Sequence, residues 1–356
     1  QTCALPISLG LSAFRQLKIS PFDLPGLIKL NLALMTTKGA AIDKLDDITF
    51  DEFLRRYTKN PYVLSLIGFL MDLYFVLSTR EIAAVEAIWN IQKMVKTLNL
   101  GYPKGGAAAI PRAFLDGGEK HGAKLIVNAG VKKIVVADGK VTGVVLKNGE
   151  TISAKAVIST TAVKDTILRL TGTEHFSADY VETVNKVQSS MIAVQAKIGL
   201  NKPLVKAGSL VGGIRLPADR FTGDVLHNTY DSVHDGRVPE FDPIYAPIPT
   251  NYDPALAPEG CQLITACALC PTLEVTWKDD VSLWMDKMMD SLREMIPGLD
   301  DHTIFCDLFS IKALANWIGK SSGAAITTGQ TTNQVANRRP PHQTPIKGLY
   351  IAGDGA

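Results

Sequence analysis

Cysteine is scarce in this chain, with five in 356 residues. One of them, Cys3, falls in a leading stretch set aside below. So few thiols exclude a disulfide framework and make a reducing, cytoplasmic setting the expectation. Cys267 and Cys270 keep C-x-x-C spacing, but the apolar run Gln262 to Leu269 reads as a strand, where residues three apart face opposite sides. No second such pair and no His pair completes a zinc site, so core cysteines are expected and no metal. An excess of one charge is also missing: 37 basic residues meet 35 acidic ones, for a net charge of +2. That removes the footprint of nucleic-acid binding. No apolar run reaches the roughly 18 residues of a membrane helix. The nearest, Leu64 to Leu77, is interrupted by Asp72; it reads as buried core, with peripheral contact at a membrane surface as the alternative. The histidines (His121, His175, His227, His234, His302 and His342) are scattered, and His121, His342 and the Asp231/His234 pair read as surface. No nucleophile, base or metal set emerges, and catalytic residues stay unassigned. Nothing sets the oligomeric state.

What is present describes an ordinary globular protein, at 46% hydrophobic and 20% charged residues. The length allows two domains or one large elaborated one. Gln1 to Ile7 reads as the translation of a common sequencing adapter, so fold reasoning starts at Ser8. From there to about Leu100 the signal is helical. Leu24, Leu27, Ile28 and Met35 suggest a first helix. Phe50, Phe53, Leu54 and Tyr57 follow at i, i+3, i+4 and i+7 behind a capping box of Thr49 and Glu52. Ser78 with Glu81 predicts a second box, opening a helix with Ile82, Val85 and Trp89 on one face.

The most regular stretch comes next. Tyr102-Pro103-Lys104-Gly105-Gly106 leads into a short helix through Ile110 and Phe114. Strands are predicted at Lys124–Asn128, Val131–Ala137 and Val141–Leu146, with a hairpin turn at Asp138-Gly139. Asn148-Gly149 leads to Thr151–Ser153, and Ala156-Val157-Ile158-Ser159 reads as a buried strand. Beyond Thr166 the predicted elements are a helix at Thr183–Ser189, a strand at Met191–Leu200, irregular chain from Lys202 to Pro258, and a strand from Gln262. An amphipathic helix then carries Met285, Met288, Leu292, Met295 and Ile296 on one face, stopped by Pro297-Gly298. That stripe reads as core, or as the soft wall of a pocket for an elongated apolar ligand.

At the C-terminus, Leu349-Tyr350-Ile351-Ala352 reads as a buried parallel strand running into the tight turn Gly353-Asp354-Gly355. Such a turn after a strand can hold an anion on free N–H groups. It closely resembles the C-terminal flavin motif of FAD-dependent oxidoreductases of the phytoene-desaturase-like and amine-oxidase-like superfamily. The helix, meander and return strand of residues 101–161 resemble the same family. So do Pro249 to Pro254, Leu256 to Gly260, Pro297-Gly298-Leu299, Gln334, Arg339-Pro340 and Thr344-Pro345. The resemblance thus covers nearly the whole chain. It implies FAD as cofactor, with Asp354 and Gly353 beside its ribityl–pyrophosphate part. It also implies Val131 holding the adenine end through backbone, Thr160 at the end of the return strand, and Gly105 and Gly106 starting a helix beside the flavin.

The expected fold is α/β with α+β elements: a truncated Rossmann-like FAD-binding domain with a three-stranded β-meander, plus a helix-capped antiparallel-sheet substrate domain. Residues 8–100 would form the helical cap of the substrate domain, 101–165 the middle of the FAD-binding domain, 166–310 the substrate domain and 311–356 the C-terminal part of the FAD-binding domain. The strand–G-x-G-x-x-G–helix unit that normally binds the pyrophosphate is not in this sequence, so weak or no FAD binding by this chain alone is expected. The family implies hydride transfer from an apolar, isoprenoid- or carotenoid-like small molecule to flavin, as desaturation, saturation or isomerisation. Two alternatives are an amine-oxidase-like flavoenzyme, for which Trp317 is the one aromatic near the last motif, and a non-catalytic prenyl- or lipid-binding carrier.

Overall fold

A computed structural model describes residues 18–97, 101–212 and 224–355; the adapter-like residues 1–7 lie outside them. Four helices open the described part of the chain apart from the single turn Ala40–Asp43: α1 (Leu24–Thr36), α2 (Phe50–Arg55), α3 (Pro61–Phe75) and α4 (Ala84–Thr97). They bury one core through Leu30, Phe50, Phe53, Leu64, Phe75 and Ile88. The Thr49–Glu52 capping box forms as predicted: the Thr49 hydroxyl accepts from Glu52 N and the Glu52 carboxylate accepts from Thr49 N. The Ser78 box does not. Glu81 accepts from Ser78 N, but the chain then extends to pair Ile82 with Thr331 before α4 begins. Trp89 is consequently half exposed rather than on a buried face.

Helix α5 (Ala109–Glu119) has no buried residue. Strands β1 (Val131–Ala137), β2 (Lys140–Leu146) and β3 (Thr151–Ser153) make an antiparallel meander in that order. Its third strand is therefore Thr151–Ser153 and not Lys124–Asn128, which pairs with nothing and exposes Leu125, Ile126 and Val127. An aliphatic triplet without a neighbouring strand has no ladder to join, whatever its β-propensity. Strand β4 (Val157–Ser159) pairs in parallel with the distant β10 (Leu349–Ile351). Meander and parallel pair share one core, built from Ile134, Val141, Leu170, Ile346 and Leu349.

A π-helical turn (Asp165–Thr171) and α6 (Ala178–Asn185) precede the largest sheet. The latter is wholly antiparallel, in the order β6-β7-β8-β5-β9. Its members are β5 (Ile192–Leu200), β6 (Ser209–Gly212), β7 (Ile244–Pro247), β8 (Gln262–Cys270) and β9 (Thr303–Phe309). Helix α7 (Val225–His234) lies within the stretch that composition alone marks as irregular; four polar residues in its middle and one short apolar stripe hide it. Helix α8 (Val281–Met295) covers one sheet face, with Trp284, Met288 and Leu292 buried against Val194, Ile198, Ile264 and Ala268. The methionine stripe is thus core and not a ligand wall. Helix α9 (Ile311–Ile318) ends on Gly319 in the left-handed region, as a glycine cap requires. No described helix is long and apolar enough to cross a membrane.

Candidate cofactor crevice and substrate face

Strands β4 and β10 run in parallel, and their C-terminal ends lie side by side, with Ala352 N donating to Ser159 O. The chain leaves β10 through Gly353, at φ +92°, where a Cβ would come 4.0 Å from Thr160 O. A Cβ on Gly355 would stand 3.0 Å from Thr161 O. The turn therefore presses backbone to backbone against the end of β4, which is why glycines occupy it. Ligands of open α/β sheets bind outside such carboxyl ends.

An open crevice of about 640 Å³ begins there. Val131 and Gly130 from the start of the meander, Ser159 to Thr161 from the end of β4, Trp317 and Lys320 all line it. The second edge of β4 carries no strand among the described residues, and Ile158 is 65% exposed beside it. Parallel strands are ordinarily covered on both faces, so this is an incompletely enclosed site.

Asp354 does not point into empty space. Its two oxygens accept from Lys320 Nζ at 2.8 Å each, and Oδ2 also accepts from Thr327 N at 2.8 Å and Thr327 Oγ1 at 3.0 Å. Burial pushes the carboxyl upward, but Lys320 and Thr327 outweigh it and hold it below the usual carboxylate range. Lys320 and Thr327 escape sequence reasoning because they lie 34 and 27 positions from Asp354. The one local signal is the glycine cap of α9 immediately before the lysine.

Of the six residues singled out by sequence, Val131 and Thr160 line this crevice, while Gly353 adjoins Thr160 and Asp354 reaches the crevice wall only through Lys320. Gly105 and Gly106 do not line it. They adopt φ +84° and +79° in a turn that precedes α5, with Gly105 N donating to Asp253 Oδ2 at 2.7 Å and Gly106 packed on Leu256. The two glycines tie the 101–108 loop to the loop following β7, instead of opening a helix at the crevice.

The antiparallel sheet offers a second surface. Its buried face meets α8, while Gln195, Lys197, Thr265, Cys267 and Tyr245 alternate onto the other, half-buried face. Lys197 Nζ stands 4.7 Å from the Phe309 ring centroid there. Cys267 and Cys270 lie on opposite faces and are free thiols. Burial pushes the Cys267 thiol up to about 11, so it is neither a thiolate ligand nor a nucleophile at neutral pH. No group able to hold a metal occurs among the described residues. His234 is not simply solvated: it lies 3.2 Å from Glu81, whose hydrogen bond raises its pKa.

Residues 4–179 match the family model of flavin containing amine oxidoreductases. Those residues are similar to that flavin oxidoreductase domain. FAD is the cofactor of the family. The flavin oxidoreductase domain has relatives among carotenoid enzymes: prolycopene isomerase 2 of an Oncidium hybrid cultivar is 27% identical over 322 residues, covering 85% of this chain and 50% of that protein. Phytoene desaturase (lycopene-forming) of Pseudescherichia vulneris is 25% identical over 284 residues, covering 77% and 54%. The chain spans about half the length of the curated relatives it matches. A solved oxidoreductase from Methanosarcina mazei superposes with a TM-score of 0.65 at 18% identity, over 95% of this chain and 68% of that one. Putrescine oxidase bound to putrescine gives 0.59 at 10% identity, over 94% and 70%. These structures share the mixed α/β fold of this chain.

The residues fit a flavin nucleotide in part. The crevice opens at the paired strand ends, beside the glycine turn, where open α/β sheets take their ligands. No described helix N-terminus of the G-x-G-x-x-G kind faces them, since the sequence has no such motif.

Proposed function

We propose that this chain is part of an FAD-dependent oxidoreductase acting on an apolar, isoprenoid- or carotenoid-like molecule, as a desaturase, saturase or isomerase. The observation that supports the reading is a crevice lined by Val131 and Thr160, with the Gly353–Asp354 turn adjoining it at the paired ends of β4 and β10. Bound FAD supplies the hydride acceptor. Val131 and Thr160 line its place, and Lys320 fixes the carboxylate of Asp354 at the turn. On the substrate side the chain's task is to exclude water and orient an apolar chain. Helix α3 leaves Leu66, Leu70, Leu73 and Tyr74 exposed along one stripe, and the half-buried sheet face carries few ionisable groups, which suits an apolar ligand better than acid–base chemistry.

Because the sequence lacks the G-x-G-x-x-G turn and leaves one edge of β4 open, the chain alone holds FAD weakly and is inactive. The described residues form a truncated Rossmann-like domain in this reading. The test has two parts. The chain as it stands, purified and mixed with FAD, is passed through gel filtration; stoichiometric flavin co-eluting with it would refute the weak-binding claim. A flavin-loaded protein containing this chain is then mixed anaerobically with phytoene or prolycopene. Bleaching of the flavin band, or cis–trans conversion without net bleaching, supports the reading. Neither change with these substrates, together with bleaching by an amine, supports amine oxidation instead.

A further inference from the structure

Four tyrosines from four separate segments converge above the half-buried sheet face, and nothing in the cofactor crevice uses them. Tyr102 and Tyr252 stack with ring centroids 5.3 Å apart and planes within 7° of parallel. Tyr74, from α3, and both stacked phenols lie close enough to Tyr245, together with Cys267, to disfavour its ionisation, after burial. Tyr245 faces Cys267 across the β7–β8 ladder, and the Cys267 thiol donates to Tyr245 O at 3.3 Å. The rings are not spent on core: Tyr74, Tyr102 and Tyr252 are 41%, 40% and 56% exposed.

The cluster is also held in place. A Cβ on Gly208 would come 2.1 Å from the Tyr252 hydroxyl, so that ring lies directly on bare backbone. The Gly105–Asp253 hydrogen bond pins the loop bearing Tyr102 to the one bearing Tyr252. Asp253 is the carboxylate adjoining these rings in sequence, and its oxygens accept from Gly105 N and Ala255 N. Each of its oxygens is thus engaged by loop backbone. Flat, half-exposed aromatic faces suit a planar ligand, which gains by offset stacking.

We propose that Tyr74, Tyr102, Tyr245 and Tyr252 form an aromatic subsite, between helix α3 and the open face of the five-stranded sheet, that takes a flat conjugated segment of an apolar ligand. This deepens the reading of an apolar substrate and rests on it, but needs no flavin. The stacked pair makes the site selective for conjugation over mere greasiness, because a saturated chain buries area without a planar face to offer.

The test uses the purified chain with diphenylhexatriene as fluorescent probe, displaced by all-trans-retinol or by phytol. Both are C20 isoprenoid alcohols; the first is conjugated and the second is not. Retinol is expected to displace the probe at a concentration about tenfold lower than phytol. Tyr102→Leu and Tyr252→Leu, which keep apolar bulk, should remove that preference, while Tyr102→Phe and Tyr252→Phe should keep it, all four melting near the parent temperature. Equal displacement by the two alcohols overturns the subsite but leaves the apolar reading standing. Displacement by neither overturns both. A preference that survives the leucine variants shows the stack to be an interloop clasp only and overturns the proposal. Stronger displacement by benzylamine or putrescine than by retinol also overturns it, in favour of an ammonium cage.

Discussion

Lys320 Nζ stands 2.8 Å from each carboxylate oxygen of Asp354, across 34 residues of chain. The lysine side chain is 14% exposed and the aspartate 31%, so the pair is shielded but not dry. It ties the end of α9 to the glycine turn after β10, and so fixes one wall of the crevice.

Removing one partner leaves the other half-buried with fewer contacts. Lys320→Met and Asp354→Asn should each lower stability by about 1–2 kcal/mol. The double variant should lose less than the sum of the two, by at least roughly 0.5 kcal/mol. Denaturant melts of the four proteins measure the coupling, and strict additivity would remove the clasp from the account.

Gly143 marks where the meander tolerates no side chain. A Cβ there would sit 2.2 Å from Ile152 O, in the adjoining strand, at φ +156°. Gly143→Ala must push β3 away from β2, so a loss of about 2 kcal/mol or more is expected. Gly149→Ala, where nothing lies within 4 Å but φ is +91°, should lose only about 1 kcal/mol. Thermal melts that rank the two the other way would show that the meander is not packed as described.

Asp242 is fully buried, with Lys287 and the Leu269 backbone N–H the groups that oppose the effect of burial. Burial pushes its carboxyl up to about 8, against the weaker opposing pull of Lys287. The folded chain therefore keeps this proton where the unfolded chain, titrating near 3.8, has lost it. The stability this confers is complete below pH 3.8 and drains away as pH rises to about 8. Asp242→Asn should flatten that slope and gain on the order of a few kcal/mol at pH 8 relative to the parent. Unchanged slopes in urea melts between pH 5 and about 8 would contradict it.

His227 shows the opposite sign. It joins the cap to α7, with Nε2 3.0 Å from Thr79 Oγ1 and 3.5 Å from Asp51, and Nδ1 3.2 Å from Asp224. Arg55 and Arg80 both reach Asp224 from the cap side. Burial lowers the imidazole pKa despite Asp51 and Asp224, with Arg80 adding to the fall. The unfolded chain thus takes up this proton first, and stability should fall as pH drops below 6.5. His227→Gln should reduce that acid-side loss, at a cost of about 1–2 kcal/mol at neutral pH. The comparison is read from melting temperatures across the acid range, and identical acid slopes would contradict it.

Much of this was legible in the sequence because its signals are local. The Thr49–Glu52 box, the Asp138-Gly139 hairpin and the glycine turn after Ile351 each sit within a few residues. Lys124–Asn128 misled because strand propensity says nothing about the presence of a partner strand. Helix α7 was masked by Asn228, Thr229, Asp231 and Ser232, which dilute its apolar stripe. Lys320 and Thr327 were out of reach of any local pattern. The tyrosine cluster draws on residues 74, 102, 245 and 252, and only the folded chain brings them together. Gly105 and Gly106 were noticed for a role at the crevice that the observed turn does not give them.

The central claim is that the meander start, the end of β4 and the terminal glycine–aspartate turn wall one nucleotide site. Titrating the isotopically labelled chain with ADP and with FAD, while following backbone amide resonances, tests it directly. The amides of Val131, Thr160 and Gly353 should shift together along one binding curve, with Gly105 and Gly106 unmoved. Silence at those three amides under saturating nucleotide, or a shift centred on Gly105, would contradict the account.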